Sequence, residues 1–257
     1  MIHTTFFPSL IEAPKVSQLF CLVQTGANIN ALRSSNKVAI VTGDLAEANL
    51  GLNNAEFSRL SVETDLILRF GANRSFWDDY SALRRANPNA VEDLVRLALT
   101  RRIPFHMMSS GAAGILNDST ARTLYEANAT LPASDISPKD GSDSYVASKL
   151  AAERFLTNVS EQLHLPVVLH QFGPVPGLGP NTDDAELESD EMINEYLGLT
   201  NRDQARPALC LVDGWLDLVP VPANLVSRDI TAAVLDRTSH SDVTLLSHTA
   251  TSRTAWA

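Results

Sequence analysis

Short apolar runs alternate with stretches of helical periodicity from the N-terminus to Phe172. The runs are dense in Val, Ile, Leu and Phe, which is typical of strands buried in a parallel sheet. Their alternation with helices predicts an α/β fold, a doubly wound parallel sheet with helices on both faces. The predicted strands are residues 16–23, 37–41, 66–70, 103–108 and 165–172, and the predicted helices are residues 6–13, 87–100 and 147–156.

Length and charge limit the class of protein. The chain has 257 residues, of which 44% are hydrophobic, as in a folded globular domain. Its net charge of −10 argues against binding to nucleic acid. Cys21 and Cys210 are too few for a disulfide framework or a thiolate metal site, and no apolar run reaches the length of a membrane span. We therefore expect a cytoplasmic protein with neither a metal site nor a membrane partner.

The alternation of strands and helices ends after Phe172. Residues 173–180, GPVPGLGP, are too rich in proline and glycine for regular structure, and an acidic run follows at 183–191. The acidic run predicts a solvated helix start or a loop, with a metal or partner site as the alternative. We expect a core at 1–173 and, at 174–257, a lobe that includes a segment returning to the core.

Tyr145 and Lys149 lie four positions apart, at the start of a segment of good helix formers. This spacing places both side chains on one face of a helix, one turn apart. An ammonium group beside a phenol favours the phenolate and lowers the pKa of the tyrosine toward a useful acid–base range. The pattern alone also fits two solvated side chains on a surface helix.

Two serines, Ser109 and Ser110, directly follow the predicted strand at 103–108. Serine hydroxyls after a strand also serve in turns and helix caps, so a structural role is the alternative to catalysis. The histidines form no comparable pattern, because His106 and His170 do not stand at metal-ligand spacing from a cysteine or a carboxylate. We expect core or surface roles for both.

Six segments occur in the order found in one enzyme family: GDL (43–45), FGAN (70–73), LRRANPNAVEDLVRLAL (83–99), RIPFHMMSS (102–110), DGSDSYVASKLAAERFL (140–156) and GWLDLVPV (214–221). With its Ser…Tyr-x-x-x-Lys order, the chain resembles the extended short-chain dehydrogenase/reductase family. Within that family it is most similar to the thioester-reductase domains of fungal polyketide and nonribosomal peptide synthases and of carboxylate reductases. The resemblance implies a Rossmann-like fold, incomplete at its N-terminus, with a small C-terminal lobe on the substrate side.

The resemblance also implies roles for the candidate residues. In the family a Ser or Thr hydroxyl and the Tyr hydroxyl bind the substrate carbonyl oxygen, and Tyr donates a proton while a nicotinamide delivers hydride. Carried over by motif, Ser110 takes the first role, with Ser109 as the second choice. Tyr145 is the proton donor, and Lys149 holds the ribose and lowers the pKa of Tyr145.

Cofactor contacts follow from the same resemblance. Asp44 would accept a hydrogen bond from the adenine amino group, with a turn role as the alternative, and Leu45 adjoins it. Gly71 and Ala72 would let the backbone pass close to the cofactor. Asn87 matches an asparagine that steadies the ends of the active-site strands in the family.

The chain departs from the family at the phosphate-binding turn. The family opens with a strand and a Gly-rich turn whose N–H groups approach the pyrophosphate, whereas the first glycine here is Gly26. Gln24 replaces the arginine that pairs with the 2′-phosphate in NADPH-dependent members, and only Arg33 nearby could substitute for it. We therefore expect weak or absent NADPH binding, and an edge position for the strand at 16–23, which favours homo-oligomers.

Two more positions depart from the family pattern. After the third predicted strand the usual tetrapeptide is altered to Arg69-Phe70-Gly71-Ala72, and after the tyrosine helix the usual Arg-Pro pair appears as Gln171-Phe172. Neither change touches the Ser…Tyr-x-x-x-Lys set.

Three functions compete. The first is NADPH-dependent reduction of a carrier-bound acyl thioester or a related carbonyl in secondary metabolism, supported by Ser110, Tyr145 and Lys149. The second is a degenerate member that binds no nucleotide and acts as a redox-independent cyclase or release factor, or as a noncatalytic partner of a synthase. The third is a truncated product without activity.

Overall fold

The protein was analysed as a computed structural model, which describes residues 2–27, 29, 32, 35–73, 75, 78–110, 144–172, 223–236 and 243–248. Helices and strands alternate along these residues. In chain order they are α1 (Ile2–Glu12), β1 (Leu19–Val23), β2 (Val38–Thr42), α2 (Asn54–Glu63), β3 (Ile67–Arg69), α3 (Tyr80–Arg84), α4 (Ala90–Leu99), β4 (Phe105–Ser110), α5 (Ser144–Leu163), β5 (Val167–Phe172), α6 (Ala223–Leu235) and β6 (Thr244–His248).

All strand pairings among the described residues are parallel. β1 and β2 form a two-stranded sheet, and β3, β4, β5 and β6 form a second sheet in that order. Parallel neighbours need a crossover connection, and α5 lies in the one between β4 and β5. The structure thus confirms the predicted α/β fold.

β1 and β3 have no hydrogen-bonded ladder between them in the described part of the chain. Their side chains nevertheless enter the same two apolar layers: Leu19 and Leu68 pack on one cluster, and Phe20 and Ile67 belong to the other. β1 is therefore an edge strand, as predicted for residues 16–23. Association of two copies through this edge stays a prediction.

Helices cover both faces. On one face α1 packs against α6, and Phe6 and Ile230 are fully buried together with Met108 of β4. On the other face α4 and α5 bury Val91 and Leu156 against the strands. The sheet therefore lies between two helical layers, and its carboxyl edge is where α5 begins.

All three predicted helices differ in extent from the helices of the structure. α1 spans Ile2–Glu12 rather than 6–13. α5 extends from Ser144 to Leu163 rather than over 147–156, because Leu156 and Val159 continue its buried face. α4 begins only at Ala90, after a π-helical turn (Arg85–Asn89) that contains Pro88. Proline has no N–H to donate to an α-helical ladder, so the turn widens there.

Most of the predicted lobe at 174–257, including the acidic run at 183–191, lies outside the described residues. Its described parts are α6, which packs on α1, and β6, which pairs with β5. The division of the chain after residue 173 stays a prediction. Within the ranges given above, no helix is long and apolar enough to cross a membrane.

Candidate active site

Tyr145 and Lys149 lie on one face of α5, at the carboxyl edge of the sheet, as their spacing predicts. Lys149 is buried, and its Nζ donates a hydrogen bond of 3.2 Å to the carbonyl oxygen of Met108 in β4. The same Nζ is 5.7 Å from the centroid of the Tyr145 ring. The lysine therefore joins the tyrosine to the strand end that bears the two serines.

Ser109 and Ser110 differ in their surroundings. The hydroxyl of Ser109 is buried and donates a hydrogen bond to Glu153 Oε1, on the second turn of α5 beyond Tyr145. Ser110, the last residue of β4, is half-buried. Ser110 stays the predicted hydroxyl for binding a carbonyl oxygen, with Ser109 as the second choice.

Glu153 is a buried carboxyl group that sequence reasoning missed. Gln171 Nε2 donates to both of its oxygens at 3.1 Å. Burial raises the pKa of Glu153, and the hydrogen bonds from Ser109 and Gln171, with the charge of Lys149, partly offset that rise. Gln171 stands where the family has arginine, so a neutral donor here replaces a charged one. The sequence contained a signal for this residue, because Glu153 lies one helical turn after Lys149 on the same predicted helix.

Asn87 ties the loop after β3 to the first turn of α5. Its fully buried amide accepts from Asn73 N at 2.9 Å, and donates to Asn73 O at 3.0 Å and to Ser148 Oγ at 2.9 Å. Ser148 Oγ in turn donates to the carbonyl oxygen of Tyr145 at 2.8 Å. This network holds the tyrosine end of α5 in place, in keeping with the steadying role predicted for Asn87.

Arg69, the last residue of β3, is a second cation at this edge. Its side chain is buried, and Nη2 donates to the carbonyl oxygens of Ala86 at 2.8 Å and Asn87 at 3.0 Å. Burial lowers the pKa of Arg69 to about 10, and the charge of an ionised Tyr145 partly offsets this. Nε has no hydrogen-bond partner among the described residues.

The predicted cofactor residues lie at the carboxyl ends of β2 and β3. A Cβ on Gly71 would lie 2.8 Å from Leu45 Cδ1, so a larger residue at this position would require the end of the Leu45 side chain to shift. Asp44 Oδ1 accepts from Ala46 N, and Oδ2 accepts from Gln24 Nε2, each at 2.8 Å. The Asp44 carboxylate is thus already engaged, by the glutamine that replaces the family's arginine.

These residues fit a nicotinamide cofactor only in part. Tyr145 and Lys149 match the nicotinamide end. Gln24 has no charge to offer a 2′-phosphate, and its amide is hydrogen-bonded to Asp44. Ala72 is half-buried, and its contact with a cofactor stays a prediction, while Arg33 lies outside the described part.

Two buried histidines meet on the adjacent strands β4 and β5. His106 Nδ1 and His170 Nε2 are 3.0 Å apart, and the rings stack with centroids 5.3 Å apart. Sequence could not show this contact, because it depends on the register of the two strands. Among the described residues, no group of three or more His, Cys, Asp or Glu side chains could hold a metal ion.

Comparison with known proteins identifies the family. The model of an NAD-binding family described as male sterility protein matches residues 12–228. Trichosetin synthetase PKS-NRPS1 of Gibberella fujikuroi is 37% identical over 234 residues, which are 89% of this chain and 5% of that protein. Fusarin C synthetase of the same fungus is 33% identical over 237 residues, 91% of this chain and 6% of the synthetase. The chain therefore spans a small part of the length of these relatives.

Solved structures share the fold. The terminal R domain from the myxalamid PKS-NRPS biosynthetic pathway aligns with a TM-score of 0.68 and 24% identity, over 96% of this chain and 63% of that domain. The PhqB reductase domain from Penicillium fellutanum gives 0.63 and 16%, over 95% of this chain and 63% of that domain. The fold is that of a parallel α/β domain, and the matching family model is one of NAD-binding domains. The chain belongs to the male sterility protein family of NAD-binding domains, and its similarity to the reductase domains of fungal synthases is confirmed.

Proposed function

We propose that this chain is a thioester-reductase-like domain that reduces a carrier-bound acyl thioester, or a related carbonyl, in secondary metabolism. The observation that supports this most directly is the contact of Lys149 with both Tyr145 and the end of β4. It gathers a phenol, a buried ammonium group and two serine hydroxyls at one sheet edge. The PKS-NRPS synthetases among the relatives support a substrate tethered to an acyl carrier.

Each residue has a defined role in this proposal. Ser110 holds the carbonyl oxygen by a hydrogen bond, with Ser109 as the second choice, and Tyr145 gives that oxygen its proton. Lys149 stabilises the phenolate that remains. As the carbonyl carbon accepts a hydride and the oxygen accepts the proton, a hemithioacetal forms, and its collapse releases the carrier thiol and an aldehyde.

We propose NADPH as the cofactor, which supplies the hydride when bound. Asp44, Leu45, Gly71, Ala72 and Lys149 are the residues that would hold it. The affinity should be low, because Gln24 replaces the arginine that pairs with the 2′-phosphate, and losing one charge-assisted hydrogen bond of about 1.5–3 kcal/mol weakens binding by about tenfold to a hundredfold.

A second candidate function uses no nucleotide. The hydrogen bond between Gln24 and Asp44 favours it, because it occupies the carboxylate that would contact adenine. Tyr145 and Lys149 could then move a proton while a tethered acyl chain cyclises and leaves its carrier, or the domain could act as a noncatalytic partner of a synthase. No hydride is transferred in either case.

The test mixes purified protein with NADPH and an acyl thioester of N-acetylcysteamine, and follows the absorbance of NADPH. The proposal expects saturable oxidation that is lost in Tyr145→Phe and retained in Tyr80→Phe, a matched control at an exposed tyrosine of α3. Thioester consumption without NADPH oxidation would instead support the second candidate.

A further inference from the structure

Arg69 is a buried guanidinium group with unusual partners. Arg69 is only 3% exposed to solvent, yet no carboxylate lies within ion-pair distance of it among the described residues. Two carbonyl oxygens of the π-helical turn accept hydrogen bonds from Nη2, and Nε has no partner in the described part of the chain. Burying a charge without a counter-ion costs free energy. An anion that forms near Arg69 would offset this cost.

The register of the sheet points Arg69 toward α5. Arg69 pairs with Met107 of the neighbouring strand, and Ser109 lies two residues further along the same face. Ser109 contacts Glu153 of α5, so this face of the sheet carries α5. Arg69 therefore lies beneath the helix whose first turn presents Tyr145.

A chain of contacts fixes the guanidinium relative to that first turn. Arg69 binds the carbonyl oxygen of Asn87, the Asn87 amide binds Ser148 Oγ, and Ser148 binds the carbonyl oxygen of Tyr145. The charge of an ionised Tyr145 raises the pKa of Arg69 against the larger lowering effect of burial. Of the four residues in this network, Arg69, Asn87, Ser148 and Tyr145, Tyr145 has the side chain that can become an anion.

We propose that Arg69 is a positioning residue that holds a positive charge beside Tyr145 and favours the phenolate form of its side chain. Lys149 and Arg69 then act together, because one cation reaches the tyrosine from α5 and the other from the end of β3. The remaining charged or titratable groups on the elements packed here are Glu153, which is buried next to Lys149, and the exposed side chains of Asp78, Asp79, Tyr80, Arg84 and Arg85.

This inference rests on the proposed function, in which Tyr145 donates the proton, but it is tested on the ionisation of Tyr145 and not on catalysis. Tyrosinate absorbance is titrated in the full chain, and subtraction of the Tyr145→Phe titration isolates the signal of Tyr145. Loss of a cation near an acid raises its ionisation midpoint by about 1–3 pH units. Arg69→Gln keeps hydrogen-bond donors but no charge, so its Tyr145 midpoint should rise by about 1 pH unit or more.

Two controls separate charge from structure. Arg69→Lys keeps the charge and should titrate close to the wild type, whereas Arg84→Gln removes an exposed charge from α3 and should have no effect. An unchanged midpoint in Arg69→Gln would overturn the proposal, as would an equal rise in Arg69→Lys. If the wild-type protein does not oxidise NADPH but the Tyr145 midpoints shift as predicted, the proposed reductase function is contradicted and the role of Arg69 is not.

A measurement on the wild-type protein covers the case in which Arg69→Gln does not fold. With ¹⁵N-labelled arginine, the Nε resonance of Arg69, assigned from its absence in Arg69→Lys, should titrate at the same midpoint as Tyr145. The titration should disappear in Tyr145→Phe. A resonance of Arg69 that ignores the ionisation of Tyr145 would refute the proposal.

Discussion

Replacing Asn87 with alanine should destabilise the protein by about 2–4 kcal/mol. The amide makes three hydrogen bonds, to Asn73 N, Asn73 O and Ser148 Oγ, from a fully buried position. Each contributes about 0.5–1.5 kcal/mol, and groups left without a partner in the interior add to the loss. Because the network ends on the carbonyl oxygen of Tyr145, the first turn of α5 should loosen as well.

Urea unfolding followed by circular dichroism measures the loss, with a lower midpoint and an unchanged slope expected for Asn87→Ala. Asn89→Ala is a matched control from the same π-helical turn, since the Oδ1 of Asn89 is buried without a hydrogen-bond partner in the described residues. It should cost less than about 0.5 kcal/mol. Equal losses in the two variants would refute the role given to the Asn87 network.

Two further predictions concern α5. Because burial raises the pKa of Glu153, the folded state keeps its proton at pH values where the unfolded chain releases it, so this group lowers stability as pH rises from the ordinary glutamate range through the raised pKa. Glu153→Gln should flatten the curve of unfolding free energy against pH that urea unfolding gives. Glu161→Gln, at an exposed position, should give a curve parallel to that of the wild type. Parallel curves for both variants would contradict a raised pKa for Glu153. Leu156→Ala should lower the free energy of unfolding by about 2–5 kcal/mol in thermal or urea unfolding, because Leu156 is fully buried. Leu163→Ala, at a position 43% exposed, should lower it far less. Similar losses in the two variants would contradict the packing of α5 on the sheet described above.

The fold was largely readable from the sequence because apolar runs and helical periodicity are local signals. Each predicted strand exists, although β1 begins at Leu19 and not at 16, because its described pairing with β2 begins at Leu19. Local signals do not give the order of strands. The edge position of β1 was predicted from the departure of this chain from the family pattern. In the described part of the chain, β1 and β3 are not joined by a hydrogen-bonded ladder.

The site was readable only along one helix. The contact of Tyr145 with Lys149 follows from spacing on α5, and the same spacing would have led to Glu153. The contact of Asn87 with Ser148 joins residues 61 positions apart, and that of Arg69 with the π-helical turn depends on a widened turn that Pro88 induces. Such contacts depend on tertiary packing, which periodicity does not encode.

The central claim is that Tyr145 delivers a proton while a carbonyl carbon accepts a hydride. It is tested most directly by a reaction of purified protein with an acyl thioester and NADPH that carries deuterium at the hydride position, with products resolved by mass spectrometry. The account predicts an aldehyde, or the alcohol from its further reduction, that contains deuterium in the wild type and is absent in Tyr145→Phe. Product without deuterium, or labelled product formed equally by Tyr145→Phe, would contradict it.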